Sequence, residues 1–282
     1  MKKENEKKEN VALIDGSAFV FIHGNKENYK DTIKEHLEHI LEENNATKYV
    51  MFLENSKSNF RHNVAVTDSY KGHRELNRAK VDTYLPFLNN VIKEVKTNYQ
   101  PVTCQYVEND DALSICSRLL QEGDTYNPIV CGDDSDLMCI PGQHWKLKKN
   151  LRIDVTHEGS IELVDKSGKK SLFSTGLYST YAKILCGAAK ENYKGLPKYG
   201  AVKVYELLKN TTTEADMRKL CFDLFINEFG YEEGIKRLQE GFRLCFLLRE
   251  NKNFVIPEFR VYNKPVREIS KPKTFSINAI RR

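Results

Sequence analysis

Four short apolar runs in this sequence close on acidic side chains, and that pattern limits the fold more than any other feature. Val11 to Ile14 ends at Asp15-Gly16, and Tyr49 to Leu53 ends at Glu54. Val102 to Val107 ends at Glu108, with Asp110 and Asp111 just beyond, and Ile129 to Cys131 opens into Asp133, Asp134 and Asp136. Between the runs, apolar residues recur at helical spacing: Ile33, Leu37, Ile40 and Leu41, then Leu88, Val91, Ile92 and Val95, then Ala112, Ile115, Cys116 and Leu119. Buried strands alternating with amphipathic helices predict an α/β fold, a mostly parallel central sheet flanked by helices. Ligands bind such a sheet outside the carboxyl ends of its strands, so these acids are expected along one edge.

Carboxylates crowded at the end of an apolar strand repel one another, and their burial costs free energy unless cations neutralise them. An all-oxygen cluster suits a hard divalent ion such as Mg²⁺. Solvated Asp/Ser turns give the same local sequence, Asp133 reads as a turn residue, and Asp110 and Asp111 also suit a helix N-terminus. Charge is uneven along the chain. Lys57, Arg61, Lys71, Arg74, Arg78 and Lys80 stand against Asp68 and Glu75, and the segment from Pro265 carries five basic residues against Glu268, within a net charge of +5. Basic segments around an acidic centre suit a protein that holds a polyanion over metal.

No apolar run approaches the ~20 residues that cross a bilayer, and the charged start, Met1 to Asn10, lacks the features of a signal peptide. Seven cysteines without paired spacing predict reduced thiols and a cytoplasmic chain. Further along, Arg152–Val155 and Ile161–Val164 read as a strand pair, and Thr175–Cys186 reads as a helix. Gly195-Leu-Pro-Lys-Tyr-Gly200 leads to Lys203 in a helix–hairpin–helix pattern, whose exposed N–H groups seat a phosphate. Asp216 to Glu250 reads as helical, and Phe254 to Pro257 as a tie back to the body. His23, His62, His73 and His144 show no paired spacing and read as surface or packing residues, and Trp145 beside Lys146, Lys148 and Lys149 reads as closing the core edge.

Ile14-Asp15-Gly16, Phe52-Leu53-Glu54-Asn55, Tyr70-Lys71-Gly72-His73-Arg74, Val107 to Asp111, Asp134-Ser135-Asp136-Leu137 and Gly195 to Gly200 occur in the order seen in flap endonucleases and 5′–3′ exonucleases. Over residues 11 to 210 the chain resembles that superfamily, and within it the bacteriophage ribonuclease H and 5′ exonuclease branch. The resemblance implies a metal-dependent phosphodiesterase acting on 5′ ends, flaps, nicks or RNA–DNA primers, with two Mg²⁺ ions for which Mn²⁺ substitutes. It implies that Asp15, Glu108, Asp110 and Asp111 serve the first ion and Asp134 and Asp136 the second, with Glu54 and Glu191 also in the metal set. Lys71 and Arg74 resemble the family's catalytic phosphate-binding cations, and Tyr70 resembles the aromatic on which a base stacks. Arg61, Gly195, Gly200 and Lys203 join Tyr70, Lys71 and Arg74 as expected DNA contacts.

The implied layout is a charged tail over 1–10, an α/β core over 11–186 with a helical arch at about 56–96, a helical DNA-binding region over 187–264 and a basic tail over 265–282. The tail from Thr274 to Ile280 offers a docking segment for a replication clamp, polymerase or single-strand-binding protein, and a monomer is expected. Three positions depart from the pattern. Glu54 stands where the family has Asp, Glu191 where many phage members have Asp, and Ala188 where an Asp serves the second ion. A methyl group ligates nothing, which leaves a second reading open: a protein that holds flaps or ends on the same scaffold without cutting them. A single-domain ribonuclease toxin would have no use for the helix–hairpin–helix or the long C-terminal region.

Overall fold

Val11 to Ile14 are fully buried, as a strand covered on both faces must be, and β1 (Glu9–Asp15) lies inside the sheet between two parallel neighbours. The computed structural model describes residues 8–24, 27–72, 85–250 and 256–262. β1 starts at Glu9, so the strand takes in two residues expected in the charged tail. α1 (Gly16–His23) and α2 (Tyr29–Glu43) lead to β2 (Ala46–Asn59), then α3 (Arg61–Val64) and α4 (Leu85–Asn98) to β3 (Val102–Tyr106). α5 (Asn109–Glu122) carries the chain to β4 (Tyr126–Cys131), a 3₁₀ turn over Asp136–Cys139, β5 (Gly142–Lys146) and β6 (Leu151–Val155).

The sheet runs β3-β2-β1-β4-β5-β6. Its first five strands are parallel and β6 is antiparallel to β5. A last strand, β9 (Arg260–Val261), pairs antiparallel with β2 and so fastens the end of the described chain to the sheet. Because side chains alternate along a strand, Ala12, Ile14, Met51, Leu53, Ile129 and Cys131 face one layer with α1, α2 and α4. Val11, Leu13, Val50, Phe52 and Val130 face the other with α5. Truncating one such residue, Leu13→Ala for example, costs about 2–5 kcal/mol. From β1 the chain moves outward to β2 and β3 and then returns to the opposite side of β1 as β4. The carboxyl ends of β1 and β4 therefore flank the crevice where sheets of this kind bind ligands.

β7 (Ile161–Lys166) and β8 (Lys169–Ser174) form a separate hairpin. The expected pairing of 152–155 with 161–164 is thus corrected: β6 takes β5 as partner and β7 takes β8. The turn between β7 and β8 is Ser167-Gly168, both at positive φ, the mirror-image geometry that joins two twisted strands tightly. α6 (Gly176–Cys186), α7 (Ala201–Leu208), α8 (Glu214–Phe229) and α9 (Tyr231–Cys245) pack around a third apolar cluster. The helical region expected over 216–250 holds α8 and α9, separated at Gly230 with φ 77°. The segment expected to form a helix–hairpin–helix has a helix on each side of it, α6 and α7. Residues 187–200 form an irregular connection with a 3₁₀ turn at Ala189–Glu191 and a bridge between Ala188 and Tyr193. Arg74, the middle of the expected arch, Phe254 and Val255, and the segment Thr274 to Ile280 lie outside the described residues. No helix among the described residues is long and apolar enough to cross a membrane.

Candidate active site

Asp15 ends β1 and caps α1, its Oδ1 accepting the Ala18 N–H at 3.1 Å. Asn109, the first residue of α5, donates to the same oxygen at 2.9 Å and to Ser17 Oγ at 2.9 Å. Gly132 lets the end of β4 close on this point, because a Cβ there would lie 3.1 Å from that of Asp15 and 2.3 Å from a Leu137 methyl. The result is an open cleft of about 530 Å³ lined by Asp15, Glu54, Glu108, Asp110, Asp133 and Asp134 with Lys71 and Lys190. Acids from the ends of four strands line one cleft, and regular β2–β3 pairing stops at Glu54, although β2 itself runs on to Asn59.

The electrostatics follow from crowding in low dielectric. Burial, and then Asp15, Asp134, Glu108 and Asp136, push the Asp110 carboxyl well above its usual range. Burial raises Asp15 as well, against the bonds from Ala18 and Asn109. Burial also works to raise Asp134, but Lys190, the Asp136 amide and Lys183 bring it below its usual range. Lysine ammoniums neutralise three of the acids: Lys71 pairs with Glu108, Lys190 with Asp134 at 2.6 Å and Lys183 with Asp136 at 2.9 Å. With those ammoniums in contact, no three Asp, Glu, His or Cys side chains among the described residues converge on one point as a cation cage. The donor set is nonetheless all oxygen, and the unrelieved repulsion at Asp110 is of the kind a hard cation removes.

Glu191 is brought to the same region by the 187–200 connection. Burial and Asp136 raise its carboxyl to about 7, against the pull of Lys71 and Lys183. Its carbonyl accepts the Lys71 N–H at 3.2 Å, and Asn192 donates to Ser69 O at 3.0 Å. Glu240 of α9, only 2% exposed, holds the start of the same loop. Its carboxylate accepts the N–H groups of Val66 at 2.5 Å and Thr67 at 2.8 Å, and the Thr67 hydroxyl at 2.9 Å. The segment that presents Lys71, itself at φ 54°, is thus pinned by residues more than a hundred positions away.

Three expected site residues are corrected. Arg61 is 1% exposed and forks onto Asp111 at 2.5 and 2.8 Å, which removes it from any DNA surface. Asp111 is fully buried, its oxygens are taken by that fork and by the Leu248 N–H at 3.0 Å, and it does not line the cleft. Tyr70 is 3% exposed, its hydroxyl donates to Glu108 and its ring meets His62 edge-on, which leaves no face for a base. Gly195 has a packing role, since a Cβ there would sit 2.3 Å from the Gly187 nitrogen. Gly200 and Lys203 are exposed, with the Lys203 ammonium over the Tyr199 ring. Ala188 is 7% exposed and packs in the third apolar cluster.

Sequence reasoning missed Phe21, which stands 65% exposed on the rim of the cleft. The signal was present: Phe19 and Phe21 are two residues apart on α1, and a helix cannot bury both on one face. It also missed Glu240 and Lys190, whose partners lie too far off in sequence to be read.

Residues 10–168 match the family described as 5′-3′ exonuclease, N-terminal resolvase-like domain. No curated protein sequence matches the chain. Among solved structures, the bacteriophage T5 D15 protein co-crystallized with metal ions is 16% identical, with 85% of this chain and 89% of that one covered and a TM-score of 0.61. The bacteriophage T5 D15 flap endonuclease in a complex with DNA and metal ions is 14% identical, covering 84% and 99% at a TM-score of 0.57. The T5 5′-exonuclease with bound zinc is 15% identical, covering 84% and 99% at 0.56. At these identities the likeness is one of fold.

Proposed function

The chain belongs to the family of 5′-3′ exonucleases with an N-terminal resolvase-like domain, and on that premise we propose that it hydrolyses phosphodiesters at 5′ flaps, nicks or ends, including RNA–DNA primers. The observation that carries this reading is geometric: Asp15, Glu54, Glu108, Asp110, Asp133 and Asp134, delivered by four strands, line one cleft. Asp15, Asp110 and Asp134 fit a Mg²⁺ ion by donor type and by mutual repulsion, with Glu54, Glu108, Asp136 and Glu191 at their margins. Mn²⁺ is the natural substitute. A bound ion supplies a water of lowered pKa and neutralises charge on the leaving oxygen. The second of two ions would be weakened by Ala188.

The chain's own residues have separate tasks. Lys71 at the cleft rim meets a phosphate when it leaves Glu108, and the hold of Glu240 and Glu191 on its loop fixes where that happens. Phe21 offers the exposed ring on which a base stacks without regard to sequence. Gly200 and Lys203 offer a backbone amide and an ammonium to a duplex phosphate. Arg74 keeps the role the resemblance gives it, a second cation over the scissile phosphate. Ala188 favours the alternative of a flap-holding protein that does not cut. The discriminating experiment is cleavage of a labelled 5′-flap oligonucleotide. Turnover that requires Mg²⁺ or Mn²⁺, stops in EDTA and falls about 100-fold or more in Asp110→Asn, the size expected for lost electrostatic stabilisation, supports the nuclease. Flap binding unaffected by EDTA, without cleavage even in Ala188→Asp, selects the binder.

A further inference from the structure

The cleft does not end at Asp133 and Ser135. Both residues also line a second groove of about 450 Å³, walled by β6, β8 and α6 and containing Lys146, Lys183, Ser174, Ser179 and Phe173. Three features of this groove are unexplained by folding. Lys146 donates to the Asp134 carbonyl at 3.4 Å and feels the Asp133 and Asp134 carboxylates, but makes no ion pair within 4.0 Å among the described residues. One carboxylate oxygen of Asp133 is buried without a hydrogen-bond partner. Phe173 is 43% exposed on a hairpin whose inner face is already packed against α7.

The chemistry of these groups selects an occupant. The Lys146 ammonium and the serine hydroxyls suit phosphate oxygens, an exposed ring suits a flat base, and the unpartnered Asp133 oxygen accepts a donor from a base or sugar edge. Lys148 and Lys149 follow Lys146 at the exposed end of the β5–β6 turn, and Lys190 stands where groove and cleft join. The volume is that of a small-ligand pocket, which admits one backbone and excludes a duplex. We propose that this groove is the track of a single nucleic-acid strand continuing out of the cleft, with a phosphate against Lys146 and a base against Phe173. This rests on the nuclease reading for the strand's direction, and on the groove alone for its existence.

The test is fluorescence anisotropy of the full chain with labelled flap DNA, one substrate with an arm too short to leave the cleft and one with a long arm, in EDTA so that nothing is cut. Phe173→Ala and Lys146→Met are each expected to weaken long-arm binding by about fivefold or more and to leave short-arm binding within about twofold. Lys146→Met alone also flattens the salt dependence, since it removes a phosphate contact and Phe173→Ala does not. Equal losses on both arms, or none on either, overturn the proposal, as does a wild-type chain indifferent to arm length. Phe173 is a surface position, so its variant keeps the test intact if Lys146→Met folds poorly. A wild-type chain that never cleaves with Mg²⁺ yet holds the long arm through Phe173 rejects the nuclease reading and leaves the track standing.

Discussion

His144 is 1% exposed, and its Nε2 donates to the Ile140 carbonyl at 2.7 Å while Nδ1 is buried without a partner. A proton on Nδ1 would have no acceptor. Burial accordingly pulls the imidazole from 6.5 to about 4. The folded value lies below the unfolded one, so the unfolded chain binds the extra proton first. The contribution is complete above pH 6.5 and is lost as the pH falls toward about 4. Between pH 7.5 and pH 5 this amounts to about 2 kcal/mol. In urea unfolding, the wild-type chain should lose about that much more over the interval than His144→Leu, in which the other titrations are common to both. Parallel profiles would show that the histidine is not held neutral. Single residues also mark how far the sequence could be read. Asp15, Glu54, Glu108, Asp110 and Asp134 were legible because a short continuous apolar run marks where a buried strand ends. Arg61 and Tyr70 were misread for a definite reason: each is a residue type that suits a nucleic-acid surface, and what buries them are partners at Asp111 and Glu108, about fifty and forty positions away. A buried arginine is tolerated only when such a fork exists, and nothing local announces it.

At the scale of elements, alternation of strand and helix was legible from β1 to β4 because each segment is long enough to show its own period. Where a segment is short or its partner is a matter of choice, pattern gave out. β6 and β7 were matched to each other although Ser167-Gly168, a tight-turn pair, pointed to β7 with β8. In the connection over 187–200, the glycines from Gly195 signal a turn, which is how the helix–hairpin–helix pattern up to Lys203 was read. Gly187 and Gly195 also let two backbones touch. That connection and α9 together hold the loop that presents Lys71, and Glu240 is the hinge of the arrangement. One of its oxygens accepts the Val66 amide, the Thr67 amide and the Thr67 hydroxyl at 3.1 Å, so a glutamine carbonyl can keep all three. Glu240→Ala should raise hydrogen exchange of Val66 and Thr67 at least about tenfold, as expected for losing ~1.5–3 kcal/mol of charge-assisted bonding. It should also raise KM for flap DNA more than it lowers kcat. Glu240→Gln should restore most of both. Unchanged exchange in the alanine variant would show that the loop is held by its other contacts.

For the molecule as a whole, the sheet with its two helical layers and the helical third layer behind it meet at the cleft, and they meet through charge. Arg61 and Asp111 bind the segment after α9 to α5, Lys183 of α6 meets Asp136 and Lys190 meets Asp134. On the proposed metal reading, the stability of such a molecule is tied to the cation that enters. An ion that binds the folded chain only adds about 2.7 kcal/mol when present at a hundred times its dissociation constant. Ala188 makes the coupling measurable. An aspartate at that position would join the third apolar cluster three residues from Glu191, whose carboxyl is already raised to about 7. Without divalent ions, Ala188→Asp should therefore be less stable than the parent by about 1–3 kcal/mol, the cost of burying an unpaired polar group. Excess Mg²⁺ should stabilise both chains but the variant more, closing the gap, and calorimetric titration should count one more ion in it. If Mg²⁺ leaves the gap unchanged, position 188 does not face an ion site, and the proposal that Ala188 weakens a second ion is rejected.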